Sequence, residues 1–204
     1  MHADAPADTP TRGRPRGFDV GEALDRAVRV FCERGYHATS IGDLSAATGL
    51  ASGSLYKAFK DKRGLYVAAL THYKDTRDAA LRAALAPART GRARVHAALL
   101  HYAESSHGER GRIGCLVINS ATELATLDAE LGRWVAGSLR RNETLLAGLL
   151  REGIADGSVP AHVDPAVTGR LLLCLVQGMR VVGKTGMTRK DMLALVDVAL
   201  KTLD

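Results

Sequence analysis

The segment GLASGSLYKAFKDK, residues 49–62, sets small, hydroxyl-bearing and basic side chains at helical spacing. Wound as a helix from Ala51, it puts Ala51, Leu55, Ala58 and Phe59 on one side and Ser52, Gly53, Tyr56, Lys57 and Lys60 on the other. Small outward residues let a helix backbone approach base edges in the major groove of DNA, where bulky ones would hold it away. Ser52, Gly53 and Ser54 meet that need. Tyr56 and Lys57 follow within a turn and can reach phosphates or base edges. Thr39 offers a hydroxyl at the expected start of the preceding helix, suited to a phosphate, and Lys62 adds a charge at the start of the next. A short amphipathic helix with a lysine-bearing solvent face also occurs in proteins that never touch DNA.

A second set of residues could carry different chemistry. Cys115 follows RGRIG and opens a helix; Arg110, Arg112 and the helix N-terminus would favour its thiolate, which suits an oxidant or electrophile sensor. The alternative is a small apolar residue in a core or beside a cavity. Cys115, Asn119 and Thr122 share one helix face, and Tyr102, Trp134 and Met179 lie on apolar faces of neighbouring helices. Together they outline a mostly apolar pocket for a small hydrophobic effector. Glu104 and His107 have the spacing used in di-iron bundles, but no second Glu-x-x-His accompanies them. No phosphate loop, nucleophile elbow or zinc signature is present, so neither catalysis nor a cofactor or metal is expected.

The elements that must position these groups are helices. Only 4% of the 204 residues are aromatic, while the helix formers Ala and Leu dominate. Caps and stops define about nine segments. Asp19 caps a first helix from Val20 to Arg34, Thr39 a second ending at Gly49, and the third follows after Leu50. Asp61 caps a long fourth helix to about Leu85, closed by the Pro87–Gly91 break. A fifth spans about Arg92 to Ser106. HGERGRIG (107–114) reads as a loop, followed by a sixth helix from Cys115. Asp128, Asp164 with Pro165, and Thr188 open the last three. The second and third helices form a helix-turn-helix on a shelf made by the first. Residues 1–16 read as a disordered leader with a basic arm, 17–64 as a helix-turn-helix unit, and 65–204 as a larger helical unit for effector binding and dimerisation.

Net charge is +6, compatible with a nucleic-acid partner. Arg12, Arg14 and Arg16 form the arm and could follow a narrow minor groove or its phosphates. The apolar excess at Leu171, Leu172, Leu175 and Val182, with Leu195 and Ala199 on the last helix, suits a symmetric contact with a second copy of the chain. Three widely spaced cysteines make no disulfide framework, the N-terminus has no signal-peptide pattern, and no uncharged run reaches membrane-spanning length. A cytoplasmic protein without a membrane partner is the expectation.

FCERGYHATSIGDLSAATGLASGSLYKAFKDKRGLYVAAL (31–70) resembles the N-terminal domain of the TetR/AcrR family of bacterial transcriptional regulators. The resemblance lies in a helix ending in Gly-Tyr, then Thr-Ser-Ile, then Gly-Leu, then Leu-Tyr-x-x-Phe-x-x-Lys. RIGCLVINSATELA (112–125) and LLLCLVQGMRVVGKTG (171–186) are similar to C-terminal domains of some members. The resemblance implies a homodimeric repressor released from its double-stranded operator by a small effector. It implies DNA-facing roles for Thr39, Ser40, Ser52, Gly53, Tyr56, Lys57 and Lys62. Ala51 stands where many members carry Ser or Thr, and Ala58 where a polar residue is frequent. An effector-free DNA organiser, and a helical carrier or small enzyme with a degenerate helix-turn-helix, are the alternatives.

Overall fold

The computed structural model describes residues 19–204, so Arg12, Arg14 and Arg16 lie outside the described residues. The described residues form ten α-helices and no strand. These are α1 (Val20–Arg34), α2 (Ile41–Thr48), α3 (Ser52–Phe59), α4 (Lys62–Leu85), α5 (Gly91–Glu104), α6 (Gly108–Ile113), α7 (Leu116–Glu123), α8 (Ala129–Ala155), α9 (Pro165–Val182) and α10 (Arg189–Leu200). Nine match the expected segments. The tenth, α6, occupies the stretch read as a loop; it is short, and Gly111 within it passes so close to Ser106 O that a Cβ would sit 2.5 Å away.

Carboxylate and hydroxyl caps set the helix starts. Asp19, Asp61, Asp128, Asp164 and Thr188 each accept a backbone N–H from the first turn of α1, α4, α8, α9 and α10. The start of α2 departs from expectation. Its cap is Ser40, whose hydroxyl accepts from Asp43 N while the Asp43 carboxylate accepts from Ser40 N, a reciprocal capping box.

Two apolar clusters hold the chain together. One joins the C-terminal half of α4 with α5, α8, α9 and α10 through Leu81, Leu99, Leu146, Leu150, Leu172, Val176, Met179 and Val196. The other joins α1, α2, α3 and the first half of α4 through Phe31, Leu44, Leu55, Leu65 and Tyr66, and it includes Cys115, Leu116, Val117 and Leu124 around α7. Thus α7, far along the chain, packs into the core that supports the helix-turn-helix. Full burial of each large aliphatic side chain is worth about 1.5–3 kcal/mol.

The helix Pro165–Thr185 is long and apolar enough to cross a membrane by composition, with a mean hydropathy of 1.3. Its buried Leu172, Val176, Met179 and Arg180 are spent on the helical core. Its outer face is apolar too: Val167, Leu171 and Val181 are exposed, as is Val198 on α10. Leu175, Val182 and Leu195 are half-buried. Leu172 and Ala199, expected at a contact with a second copy, are buried by the chain's own core and form the floor of an apolar groove between α9 and α10.

Candidate nucleic-acid interface and effector cavity

α3 leans on the core through Leu55, which is buried, and Phe59, which is half-buried. Ala51 and Ala58, expected inward, are exposed. Around them an open face carries Gly53, Ser54, Tyr56, Lys57 and Lys60, with Ser52 half-buried at its edge. A Cβ built on Gly53 would meet nothing within 4 Å. Ala51 supplies no side-chain cap; in the first turn Ser54 N donates to Ala51 O at 2.8 Å, and the Ser52 and Gly53 amides receive no side-chain acceptor from it. At its other end α3 stops abruptly: Lys60 has φ +71°, and Asp61 N donates to Phe59 O across it at 2.9 Å, a strained γ-turn. Gly64 completes the turn, since Phe59 O lies 2.0 Å from where its Cβ would be.

Two expected DNA contacts face inward instead. Thr39 is 1% exposed and its hydroxyl donates to Gly35 O at 2.6 Å, so it braces the α1–α2 turn rather than meeting a phosphate. Lys62 Nζ donates to Tyr36 O and Thr39 O, both at 2.9 Å, and stands 4.4 Å from the centre of the Tyr36 ring. It ties the start of α4 to that same turn. Ser40 is exposed, but its hydroxyl is engaged by Asp43. Hydrogen bonds from Ser40, with the Arg34 guanidinium 2.5 Å away, hold the Asp43 carboxyl below its ordinary range.

The second site is a cavity of about 40 Å³ between α4, α5, α8, α9 and the start of α7. Tyr73, Tyr102 and Val117 give it apolar wall; Lys74, Arg77, Asp78, His101, Asn142, Gln177 and Arg180 bring polar ends, and Cys115 its thiol. Of the expected effector residues only Tyr102 and Cys115 line it. Asn119 instead donates to Cys32 O at 3.1 Å, and Thr122 bonds back to its own helix. Met179 is 1% exposed in the larger core, and Trp134 packs against the other. The expected mostly apolar lining is therefore replaced by a mixed one.

Arg180 is the pivot of this cavity. It is 5% exposed and donates to Ser105 O, to Gly114 O at 2.8 Å and to Tyr73 OH at 3.1 Å. Burial alone would raise the Cys115 pKa, but the Arg180 guanidinium, with Tyr73 and the Ile118 N–H beside the sulfur, outweighs it and lowers the pKa. At Cys32 burial outweighs the nearby Lys184, whose Nζ donates to the Cys32 carbonyl at 3.3 Å, and pushes the thiol up to about 12. Burial, with Arg77 and Arg180 nearby, lowers the His101 pKa to about 4. Burial raises that of Tyr102 to about 12.

α7 links the cavity to the helix-turn-helix. Beyond Cys115, Asn119 holds the end of α1, and the Ser120 hydroxyl meets Tyr66 OH of α4 at 2.8 Å. Glu123 accepts from Tyr36 N at 2.9 Å, beside Gly35. A further tie runs from Arg63 to Asp128 at 2.7 Å and to Glu130 at 2.8 Å, and it draws the Asp128 pKa down to about 2. Glu104 and His107 do meet, at 2.9 Å, but their third partner is the cation Arg189, which does not suit a metal site.

A family model described as bacterial regulatory proteins, tetR family, matches residues 23–69, and one described as tetracyclin repressor-like, C-terminal domain, matches residues 91–189. The chain is 31% identical over 195 residues to the HTH-type transcriptional repressor ComR of Escherichia coli (strain K12), covering 94% of this chain and 91% of that one. It superposes with a TM-score of 0.84 and 30% identity on a cysteine-substituted form of the TetR family regulator CifR in complex with 26-base-pair operator DNA, covering 94% and 100% of the two chains. The regulator FadR from Bacillus subtilis, in complex with stearoyl-CoA, shares the fold at a TM-score of 0.68 and 21% identity.

Proposed function

The chain belongs to the TetR family of bacterial regulatory proteins and is a DNA-binding transcriptional regulator rather than an enzyme, and we propose that it is a homodimeric cytoplasmic repressor whose paired α3 helices enter successive major grooves of an operator. The observation that carries this reading is the open face of α3. Among the described residues a Cβ on Gly53 would meet nothing within 4 Å, and Ser54, Tyr56, Lys57 and Lys60 around it are exposed. Ser52, Gly53, Tyr56 and Lys57 are the groups that would read or hold the duplex, with Ser40 at the edge and Thr39 and Lys62 acting from behind as supports. The arm with Arg12, Arg14 and Arg16 would add phosphate or minor-groove contacts.

The apolar outer strip of α9 and α10, with Val167, Leu171, Leu175, Val181 and Val198, supports a contact with a second copy. The mixed cavity supports release by a compact effector that has both an apolar body and a hydrogen-bond acceptor. A duplex selected from a random pool, titrated against wild type and Gly53→Leu, tests the reading. Tight, sequence-dependent binding by the wild type and its loss in the variant are expected. Equal binding to selected and random duplex would instead indicate a DNA organiser.

A further inference from the structure

A buried thiol is ordinarily protonated and inert, as Cys32 is. Cys115 differs in two respects: it lines its cavity together with the nine-tenths-buried guanidinium of Arg180, and it caps a helix whose far end, through Glu123, holds the α1–α2 turn. Arg180 is fixed in place by Ser105 O, Gly114 O and Tyr73 OH, so its charge stays beside the sulfur. Across the same cavity stand the Tyr102 hydroxyl, to which the Asn142 amide donates at 3.3 Å, and the Gln177 amide. These are donors for a carbonyl oxygen. The cavity's space of about 40 Å³ suits a molecule of a few heavy atoms.

We propose that Cys115 is the covalent attachment point of a small α,β-unsaturated carbonyl effector, and that α7 carries the resulting displacement to the turn supporting the recognition helix. This rests on reading the cavity as the effector site. The thiolate Sγ gives its electron pair to the β-carbon, forming an S–C bond. The C=C π pair shifts onto the carbonyl oxygen as an enolate, which takes a proton from water at the α-carbon to leave a neutral thioether. No oxidant or reductant takes part. Two consequences follow at the start of α7. The adduct occupies a cavity with little spare volume, and Arg180 loses the anion it faced. At the other end, Glu123 grips Tyr36 N and Asn119 grips Cys32 O, so a shift of α7 moves the α1–α2 turn, and with it the shelf under α3.

The test treats the full-length protein, free and bound to its selected duplex, with acrolein. Adducts are located by peptide mass spectrometry and duplex release is followed by fluorescence anisotropy. The expected result is a mass gain at Cys115 that keeps pace with release. Cys115→Ser and Cys115→Ala, competent to bind duplex when untreated, stay bound; Cys174→Ser releases like wild type. Arg180→Lys labels faster than Arg180→Gln, and the latter more slowly than wild type by on the order of tenfold near neutral pH. Glu123→Ala is labelled at the wild-type rate yet keeps its duplex, while Glu123→Gln, which retains an acceptor, releases it. Release without labelling at Cys115, or equal release from both Cys115 variants, overturns the attachment. Normal release from Glu123→Ala overturns the role of α7. A protein that binds no duplex at all contradicts the proposed function, while labelling at Cys115 still decides the chemistry.

Discussion

The open face of α3, proposed to read DNA, and the cavity proposed for the effector are built on opposite terms. On α3 the functional side chains are left idle: Tyr56 is 49% exposed, and Gly53 has empty space where a side chain would be. In the cavity several polar groups are already employed. Arg180 has three intramolecular acceptors, Lys74 is paired with Asp78, and Asn142 with Tyr102. A surface that waits for a large, rigid polyanion needs exposure and close approach. A switch that must register a few atoms needs groups whose present bonds can be broken.

That contrast can be broken by changing each region and asking what fails. Gly53→Leu has the largest expected effect. A Cβ there meets nothing within 4 Å and leucine has better helix propensity than glycine, so thermal stability should hold or rise slightly, while operator affinity falls by about a hundredfold or more as the helix is held off the base edges. Equal affinity would remove α3 from the interface. Lys62→Ala should do the reverse. It strips the donor from Tyr36 O and Thr39 O and should cost roughly 1.5–3 kcal/mol in denaturant unfolding. If it instead weakened DNA binding with stability intact, Lys62 would be a phosphate contact after all.

The difference between the regions also explains what sequence could tell. The α3 face is local: small and basic residues within one short helix, bounded by the Gly49 and Asp61 signals, needed no tertiary information. The helix caps at Asp128, Asp164 and Thr188 were legible for the same reason. Thr39 and Ser40 are adjacent and both favourable as caps; only the Asp43 carboxylate, reaching back to Ser40 N, decides between them. The cavity joins residues from helices far apart in the chain, so period and propensity could not assemble it. One signal did exist. Arg180 sits inside the apolar run LLLCLVQGMRVV, and a lone guanidinium on a buried stripe requires buried partners. The packing of α7 against α1 left no trace in either segment's pattern.

Smaller effects sharpen the same contrast. His101 titrates near 4 in the folded chain against 6.5 for the free side chain, because burial and neighbouring arginines disfavour its charge. The unfolded chain therefore binds more protons between those values, and stability should decline as pH falls from 6.5 towards 4. His101→Gln should flatten that decline in thermal melts taken across the range; an unchanged slope would show the ring to be solvated. Lys60→Gly relieves a positive φ at the end of α3 and should stabilise the fold by roughly 1 kcal/mol, read as a shift in unfolding midpoint.

The central claim, that the uncrowded side of α3 seats itself in DNA, is tested most directly by guanine N7 methylation interference on the selected duplex. N7 faces the major groove. Two interference patches one helical turn apart, roughly 34–36 Å between centres, are the predicted result. Interference absent from the major groove, with binding undiminished, would contradict the account.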